Sequence, residues 1–489
     1  MFYMVIRATD KLPEYKEEFI KFTSEMGALK LGGPFELKSK RSSPHFFNSG
    51  DFKDGTSISR LGDYYAEVIL EEVGKDNFDL LFGPAYKGIP LAVAVSEALA
   101  RKGVNKGFVF NRKEEKTHGE VSGAKNKKDL QKKLLVGSEI KDGSRVLIVE
   151  DVFTSGDTKY EAVNIINSVA NDVEIPAVVI AVDRQEIGED GSSAIREFRE
   201  KTGVNTFSII NASDIRDYML INNSAETAMA MDKYFRAWGV PEVQKRYDVW
   251  NDQKIIPLQK SVIPACDVEE LDKFEEIVEA TADLPGIGGF KIGFELGLGY
   301  SAGEVVKAAR KYTKKPIIYD HQKAGTDIPD TGRNFARVMK KSGVDAVILF
   351  PQAGPVTQTA WQGFALEAGL KVLVGGEMTH KGYKVSEGGY ISDEALERMY
   401  LNGAARGISD FVVPGNRVDR IAHYKQMLEE KGVRPVFYSP GFIAQGGSIG
   451  EAAKAAGECF GHAIVGRAIY AAKDIRKAAE EITAPIVTK

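Results

Sequence analysis

Eight short apolar segments crowd the last 230 or so residues of the chain, at 262–267, 289–293, 316–320, 345–350, 371–375, 410–414, 434–439 and 462–466. Each is long enough for a buried strand and too short for a helix, and stretches with helical spacing such as 271–282 and 332–342 separate them. Strands alternating with helices predict a parallel sheet, and eight such units in about 230 residues is the arithmetic of a small (β/α)8 TIM barrel. Polar or charged residues stand at or just past the C-terminal end of nearly every strand, where such barrels place their sites.

The preceding part has the same alternation with a different count. Strands are expected at 79–83, 107–110, 146–149, 177–182 and 206–210, giving a mostly parallel sheet flanked by helices. The first 75 residues read as helices plus an irregular segment that caps this sheet as a small hood. A closing helix is expected over 224–238, and a polar stretch without strand pattern follows. The boundaries read from this are a first domain at 1–238, a linker at 239–258 and a barrel at 259–489. At 489 residues the chain is too long for one ordinary domain, and two or three are expected from length alone.

Composition narrows the class. Hydrophobic residues make up 43% and charged residues 27%, as in folded soluble proteins. No apolar run approaches the roughly 20 residues of a spanning helix, and the first residues lack a secretory pattern. Two cysteines, Cys266 and Cys459, exclude a disulfide framework and fit a reducing compartment, so a cytoplasmic protein is expected, with both thiols buried. A net charge of −4 and a pI near 6.0 argue against nucleic acid as a partner. Positive charge is instead concentrated locally: 112–133 holds eight Lys/Arg against four acids, with His118 among them. The histidines show no ligand spacing, so no metal is expected in the barrel.

The stretch Arg145-Val-Leu-Ile-Val-Glu-Asp-Val-Phe-Thr-Ser-Gly-Asp-Thr158 reads as a central strand, two acids expected to emerge into solvent, and a turn opening a helix. Hydroxyls and backbone N–H groups around a helix N-terminus make a seat for phosphate. This run resembles the signature of type I phosphoribosyltransferases. The resemblance implies that Glu150 and Asp151 hold the ribose hydroxyls, while Thr154, Ser155, Gly156, Asp157 and Thr158 hold a 5-phosphate. Three further segments resemble the orotate phosphoribosyltransferase family: Leu37-Lys-Ser-Lys-Arg-Ser-Ser-Pro-His-Phe-Phe-Asn48, Phe82-Gly-Pro-Ala-Tyr-Lys-Gly-Ile-Pro-Leu91 and Asn111-Arg-Lys-Glu-Glu-Lys-Thr-His-Gly119. By that likeness Lys38 and Lys87 approach the pyrophosphate, and Phe46 and Phe47, an exposed aromatic pair, border orotate. Arg112, Lys113, Lys116 and His118 close over the leaving group, and Arg184 faces the orotate carboxylate. The implied cofactor is Mg²⁺, carried by pyrophosphate near Asp151 without direct protein ligation.

The barrel resembles the orotidine 5′-monophosphate decarboxylase family, whose pattern is Asp-x-Lys-x-x-Asp-Ile-x-x-Thr. Here the chain reads Asp320-His-Gln-Lys-Ala-Gly-Thr-Asp-Ile-Pro-Asp-Thr331, with both spacings one residue longer. Placing Lys323 as proton donor therefore implies a bulge. The likeness implies a charged array of Lys291, Asp320, Lys323 and Asp327, the last reaching a partner subunit's site. It also implies that Asp267 meets the ribose, Thr379 and Gln445 the pyrimidine, and Gly446, Gly447, Gly466 and Arg467 the phosphate, with the glycines offering backbone N–H groups. No cofactor is implied for this half.

Together the resemblances imply a homodimer with shared sites that acts on orotate, phosphoribosyl pyrophosphate and orotidine monophosphate. An alternative keeps the transferase and gives the barrel another phosphorylated substrate. A third reading, a nucleotide-sensing regulator, fits poorly with an intact leaving-group set at Lys87, Arg112, Lys113, Lys116 and His118.

Overall fold

The computed structural model describes residues 12–37, 39–113, 126–153, 157–188, 191–222, 224–247, 254–321, 327–443 and 446–486. The chain divides into two units, one of Leu12–Tyr218 with Ala230–Lys245, the other containing Met219–Met229 and Arg246–Lys489.

In the first unit β1 (Leu29–Glu36) and β2 (Ser42–Phe47) form an antiparallel hairpin whose register shifts between Leu31 and Phe35. This hairpin replaces the irregular segment expected from the sequence. Gly32, Gly33 and Pro34 in β1 and Pro44 in β2 hide the alternation. They are tolerated because a two-stranded sheet consists only of edges.

The main sheet contains β3 (Leu80–Gly83), β4 (Gly107–Asn111), β5 (Leu135–Gly137), β6 (Val146–Val152), β7 (Ala177–Asp183) and β8 (Asn205–Asn211), in the order β5-β4-β3-β6-β7-β8. Every pairing is parallel except β4 with β5, a three-residue edge strand absent from the sequence reading. Val146, Leu147, Ile148 and Val149 are wholly buried, as a central strand covered on both faces requires. The strand runs to Val152 rather than ending at 149, so Glu150 and Asp151 belong to it.

The second unit is the expected barrel. Its strands are β9 (Ser261–Cys266), β10 (Phe290–Ile292), β11 (Ile317–Asp320), β12 (Ala346–Leu349), β13 (Lys371–Gly375), β14 (Asp410–Val412), β15 (Val436–Ser439) and β16 (Phe460–Val465). They close in sequence order, β16 pairing with β9, and all pairings are parallel. Strand parity sorts their side chains. Ala265, Ile318, Ile348, Leu373, Val412 and Ile464 fill the interior, while Cys266, Phe290, Ile292, Ile317 and Tyr319 pack in the strand–helix layer. The stretch expected as a linker holds a short helix, Pro241–Tyr247. Among the described residues no helix is long and apolar enough to cross a membrane.

Candidate functional site

In the first unit β6 delivers two acids to the C-terminal edge of the sheet, where open α/β folds bind ligands. Contrary to the expectation that they emerge into water, Glu150 and Asp151 are each only 6% exposed. They stay buried because cations and hydroxyls reach them. Lys87 Nζ lies 2.9 Å from Asp151 Oδ2 and 3.1 Å from Asn48 Oδ1, and Ser49 donates to the same Asp151 oxygen at 3.0 Å. Lys159, a buried lysine on the helix Asp157–Val169, stands 3.5 Å from Glu150 Oε2 and donates to Val152 O at 2.7 Å. Burial pushes the Glu150 carboxyl above its ordinary range against the pull of Lys159. Lys159 had no role in the sequence reading. Its position just inside the helix that follows the small-residue turn was the available signal.

Lys87 precedes the helix Gly88–Arg101, and the turn leading to it is closely packed. A Cβ on Gly83 would sit 2.1 Å from the Gly88 carbonyl oxygen, so only glycine fits there. Asn111, at the end of β4, accepts from the Ala85 amide at 2.8 Å and ties that turn to the strand from which Arg112 and Lys113 depart. Arg112 is exposed, and Lys113 lies 3.6 Å from Glu161.

Of the expected aromatic pair, Phe47 is buried against Phe52 and Phe46 is half-buried beside Phe35. The pair is therefore not jointly exposed, because adjacent residues of β2 face opposite sides of the hairpin. Arg184 follows β7 and bonds Glu186 at 2.7 Å, and Arg41 donates to the Ile187 carbonyl at 2.6 Å while covering Trp238. His45 is fully buried, and burial lowers it to about 3, with Arg184 adding to the effect. Lys38, Lys116, His118, Thr154, Ser155 and Gly156 lie outside the described residues. Asp157 opens its helix, with Thr158 half-buried beside it.

In the barrel, parity brings the expected acids and lysine to one place. Lys291 lies between outward Phe290 and Ile292, Asp267 is two residues beyond inward Ala265, and Asp320 two beyond inward Ile318. Lys291 Nζ is 2.8 Å from Asp320 Oδ2 and 3.0 Å from Asp267 Oδ1. Burial works against the ammonium charge, but the two flanking carboxylates outweigh it and hold Lys291 above its ordinary range. Asp327 folds back on its own segment, its Oδ1 accepting from the Ile328 amide at 2.7 Å. Lys323 and Gln445 lie outside the described residues.

Thr379 is half-buried past β13, and its carbonyl accepts from Asn416 Nδ2 at 3.1 Å. The Gly446 amide donates to Ile443 O at 3.1 Å and the Gly447 amide to Gly441 O at 3.2 Å. Those two N–H groups, expected to face a phosphate, are spent closing their own turn, which positive φ at Gly441 and Gly446 folds back on itself. Gly466 and exposed Arg467, at the start of the short helix Arg467–Tyr470, supply the nearby cationic end.

Glu377, which received no role from the sequence, organises this rim. Its side chain is fully buried and meets Tyr424 at 2.5 Å, Arg420 at 2.8 Å, and Arg417 and Lys384 at 3.1 Å each. Despite burial, hydrogen bonds from Tyr424 and Arg420 hold its carboxyl below the usual range. Among the described residues no group of three or more His, Cys, Asp or Glu is arranged to hold a metal ion.

Residues 49–209 match the family described as phosphoribosyl transferase domain, and residues 260–482 match the orotidine 5′-phosphate decarboxylase / HUMPS family. An orotate phosphoribosyltransferase of Clostridium botulinum (strain Alaska E43 / Type E3) is 40% identical over 235 residues, covering 46% of this chain and 98% of the relative. One from Photobacterium profundum is 40% identical over 224 residues, covering 46% and 97%. A solved orotidine 5′-monophosphate decarboxylase from Methanocaldococcus jannaschii aligns with 26% identity and a TM-score of 0.41, covering 47% of this chain and 99% of that one. The barrel's match is to the orotidine 5′-phosphate decarboxylase / HUMPS family model, and the chain belongs to the orotate phosphoribosyltransferase family through its N-terminal half.

Proposed function

We propose that the chain is a bifunctional enzyme of pyrimidine synthesis, with the division at the polar stretch 239–258. The first domain joins orotate to phosphoribosyl pyrophosphate, giving orotidine monophosphate and pyrophosphate. The barrel then decarboxylates orotidine monophosphate to uridine monophosphate and CO₂. The observation that carries the reading is Lys291 fixed between Asp320 and Asp267 in a barrel fused to a transferase whose product is that barrel's substrate.

In the transferase the bond from ribose C1 to pyrophosphate oxygen breaks as the orotate ring nitrogen bonds to C1, and the proton that nitrogen carried leaves with the pyrophosphate. Negative charge grows on the departing pyrophosphate, and cations already in place lower the barrier. Lys87, Arg112 and Lys113 supply them, with Lys116 and His118 assigned by resemblance. Arg184 pairs with the orotate carboxylate, Phe46 borders the ring, and Asp151 and Glu150 take the ribose hydroxyls. Mg²⁺ is a hard cation served by oxygen ligands, so the pyrophosphate oxygens with Asp151 nearby fit it better than a protein cage would. When bound it neutralises charge on the leaving group.

In the barrel the phosphate is held at the loop after β16, with Arg467 as its cation, and Thr379 and Gln445 read the pyrimidine. The C6–carboxylate bond breaks, the electron pair stays on C6, and a lysine ammonium, assigned to Lys323, returns a proton there. Lys291 fixes the Asp320 and Asp267 carboxylates in the required places. Asp327 serves the partner's site in a homodimer of cytoplasmic location. The reading in which the barrel takes another phosphorylated substrate is not favoured, since both halves match successive steps.

The deciding experiment supplies purified chain with orotidine monophosphate alone and follows its absorbance as uridine monophosphate forms. Orotate, phosphoribosyl pyrophosphate and Mg²⁺ are then supplied separately. Turnover in both assays, with Lys291→Met abolishing the first alone, is expected. Orotate consumption without any loss of orotidine monophosphate would reject the decarboxylase assignment.

A further inference from the structure

The two acids of the barrel's charged segment, Asp320 and Asp327, flank residues 322–326, and one side chain from the outer helix layer meets both flanks. Trp361 sits on the helix Pro355–Glu367 and is only 4% exposed. Its ring stacks on His321, the residue after Asp320, with centroids 5.5 Å apart and planes 28° from parallel. Its indole N–H donates to the Ile328 carbonyl at 3.1 Å, on the residue after Asp327. The amide of that same Ile328 donates to Asp327 Oδ1, so the indole and the catalytic-side carboxylate hold opposite ends of one residue's backbone.

The ring itself has little freedom. Phe335 stacks on it at 5.0 Å, and a Cβ on Gly332 would lie 2.7 Å from the indole Cδ1, so the helix Thr331–Ser342 is pressed against its edge. His321 is equally fixed: Phe335 lies 4.5 Å and Tyr319 5.8 Å from its ring, and its amide extends the strand ladder to Ile348 O at 3.2 Å. Burial keeps this imidazole below its ordinary range. Its ring packs among Phe335, Tyr319 and Trp361 in the layer outside the strands.

We propose that Trp361, through His321 and Ile328, is a positioning residue for decarboxylation that sets where Asp320 and Asp327 stand relative to each other. The inference rests on the decarboxylase reading above. It also gives a physical reason why the chain can leave Asp320 in place ahead of a longer first spacing: the next residue, His321, is anchored by an aromatic stack outside the strand interior. Thr331 Oγ also donates to Ile328 O, at 2.7 Å, so removing the indole donor loosens this flank without freeing it. The effect is graded, because misplacing a catalytic group by a fraction of an ångström slows the step without removing the site.

The test compares kcat and KM for orotidine monophosphate in the full chain carrying Trp361→Phe, His321→Ala or His321→Phe, with uridine monophosphate affinity measured in each. Trp361→Phe keeps a ring and loses the N–H, His321→Ala loses the stack, and His321→Phe restores it. The expected result is a kcat about tenfold or more lower in Trp361→Phe and His321→Ala, with KM and product affinity within about twofold of wild type, and near-normal kcat in His321→Phe. Wild-type kcat in both loosened variants overturns the proposal. So does a loss of product affinity parallel to kcat, which marks general damage to the barrel, or a His321→Phe variant as slow as His321→Ala. A wild-type chain without decarboxylation rejects the functional reading and this inference with it, whereas an active wild type with unaffected variants rejects the inference alone.

Discussion

A carboxylate buried among cations and one whose burial outweighs its hydroxyl partners and the pull of Lys371 respond to pH in opposite ways, and the barrel contains both. Glu377 faces Arg417, Arg420 and Lys384 with its side chain out of water. Glu377→Gln keeps the shape and leaves buried positive charge without its counter-ion, so a loss of about 3 kcal/mol is expected. Chemical denaturation of the barrel transition measures it. Asp410, at the start of β14, accepts from Tyr438 at 2.9 Å, and burial raises its carboxyl to about 6. The folded state therefore holds this proton more tightly than the unfolded chain does. Below about pH 4 both states are protonated and no penalty applies; stability falls as pH rises from there through about 6. Asp410→Asn can still accept from Tyr438, so it should be more stable than wild type at pH 7 by on the order of 2–3 kcal/mol and equal to it near pH 3.5. A difference independent of pH would show that Asp410 is not the titrating group.

Elements explain which of these residues were legible in advance. The eight barrel strands could be read because each is a short apolar run between helical segments, and parity then aims Asp267, Lys291 and Asp320 inward. Lys87, Glu150 and Asp151 were legible for the same reason, since they end or follow strands. Glu377 and Lys159 were not. Their partners lie on other elements, and Glu377 gathers Tyr424 from 47 residues away. The hairpin was hidden by its own glycines and prolines, and β5 by having only three residues. Tight packing between elements was equally invisible, and it gives a direct test. Gly83→Ala would force its new methyl against the Gly88 carbonyl and shift the start of the helix that Lys87 precedes. The transferase KM for phosphoribosyl pyrophosphate should rise about tenfold or more, since a displaced cation loses most of its hold on the leaving group. Decarboxylation by the same variant should be unchanged, and a parallel loss of both activities would contradict this assignment.

At the scale of the whole molecule, the described candidate residues of each reaction fall within a single unit. Those of the transferase lie within Leu12–Tyr218 and those of the decarboxylase within Arg246–Lys489. Each unit has its own sheet and its own buried core, the barrel interior and the layer around β6 sharing no residues. Chemistry lost in one should therefore leave the other intact. Asp151→Asn removes the charge proposed to take the ribose hydroxyls and the partner of Lys87, and Lys291→Met removes the cation between two barrel acids. The first variant should decarboxylate orotidine monophosphate normally while failing on orotate, and the second should do the reverse. Mixed in equal amounts with orotate, phosphoribosyl pyrophosphate and Mg²⁺, the two proteins should together form uridine monophosphate after a lag, as released orotidine monophosphate accumulates to the level the barrel needs. The lag should shorten as the concentration of the Asp151→Asn protein rises, because the intermediate reaches a second molecule by diffusion. If the mixture forms no uridine monophosphate although each variant keeps its remaining activity, the intermediate does not leave the chain that made it, and the two sites are coupled more closely than their separate cores require.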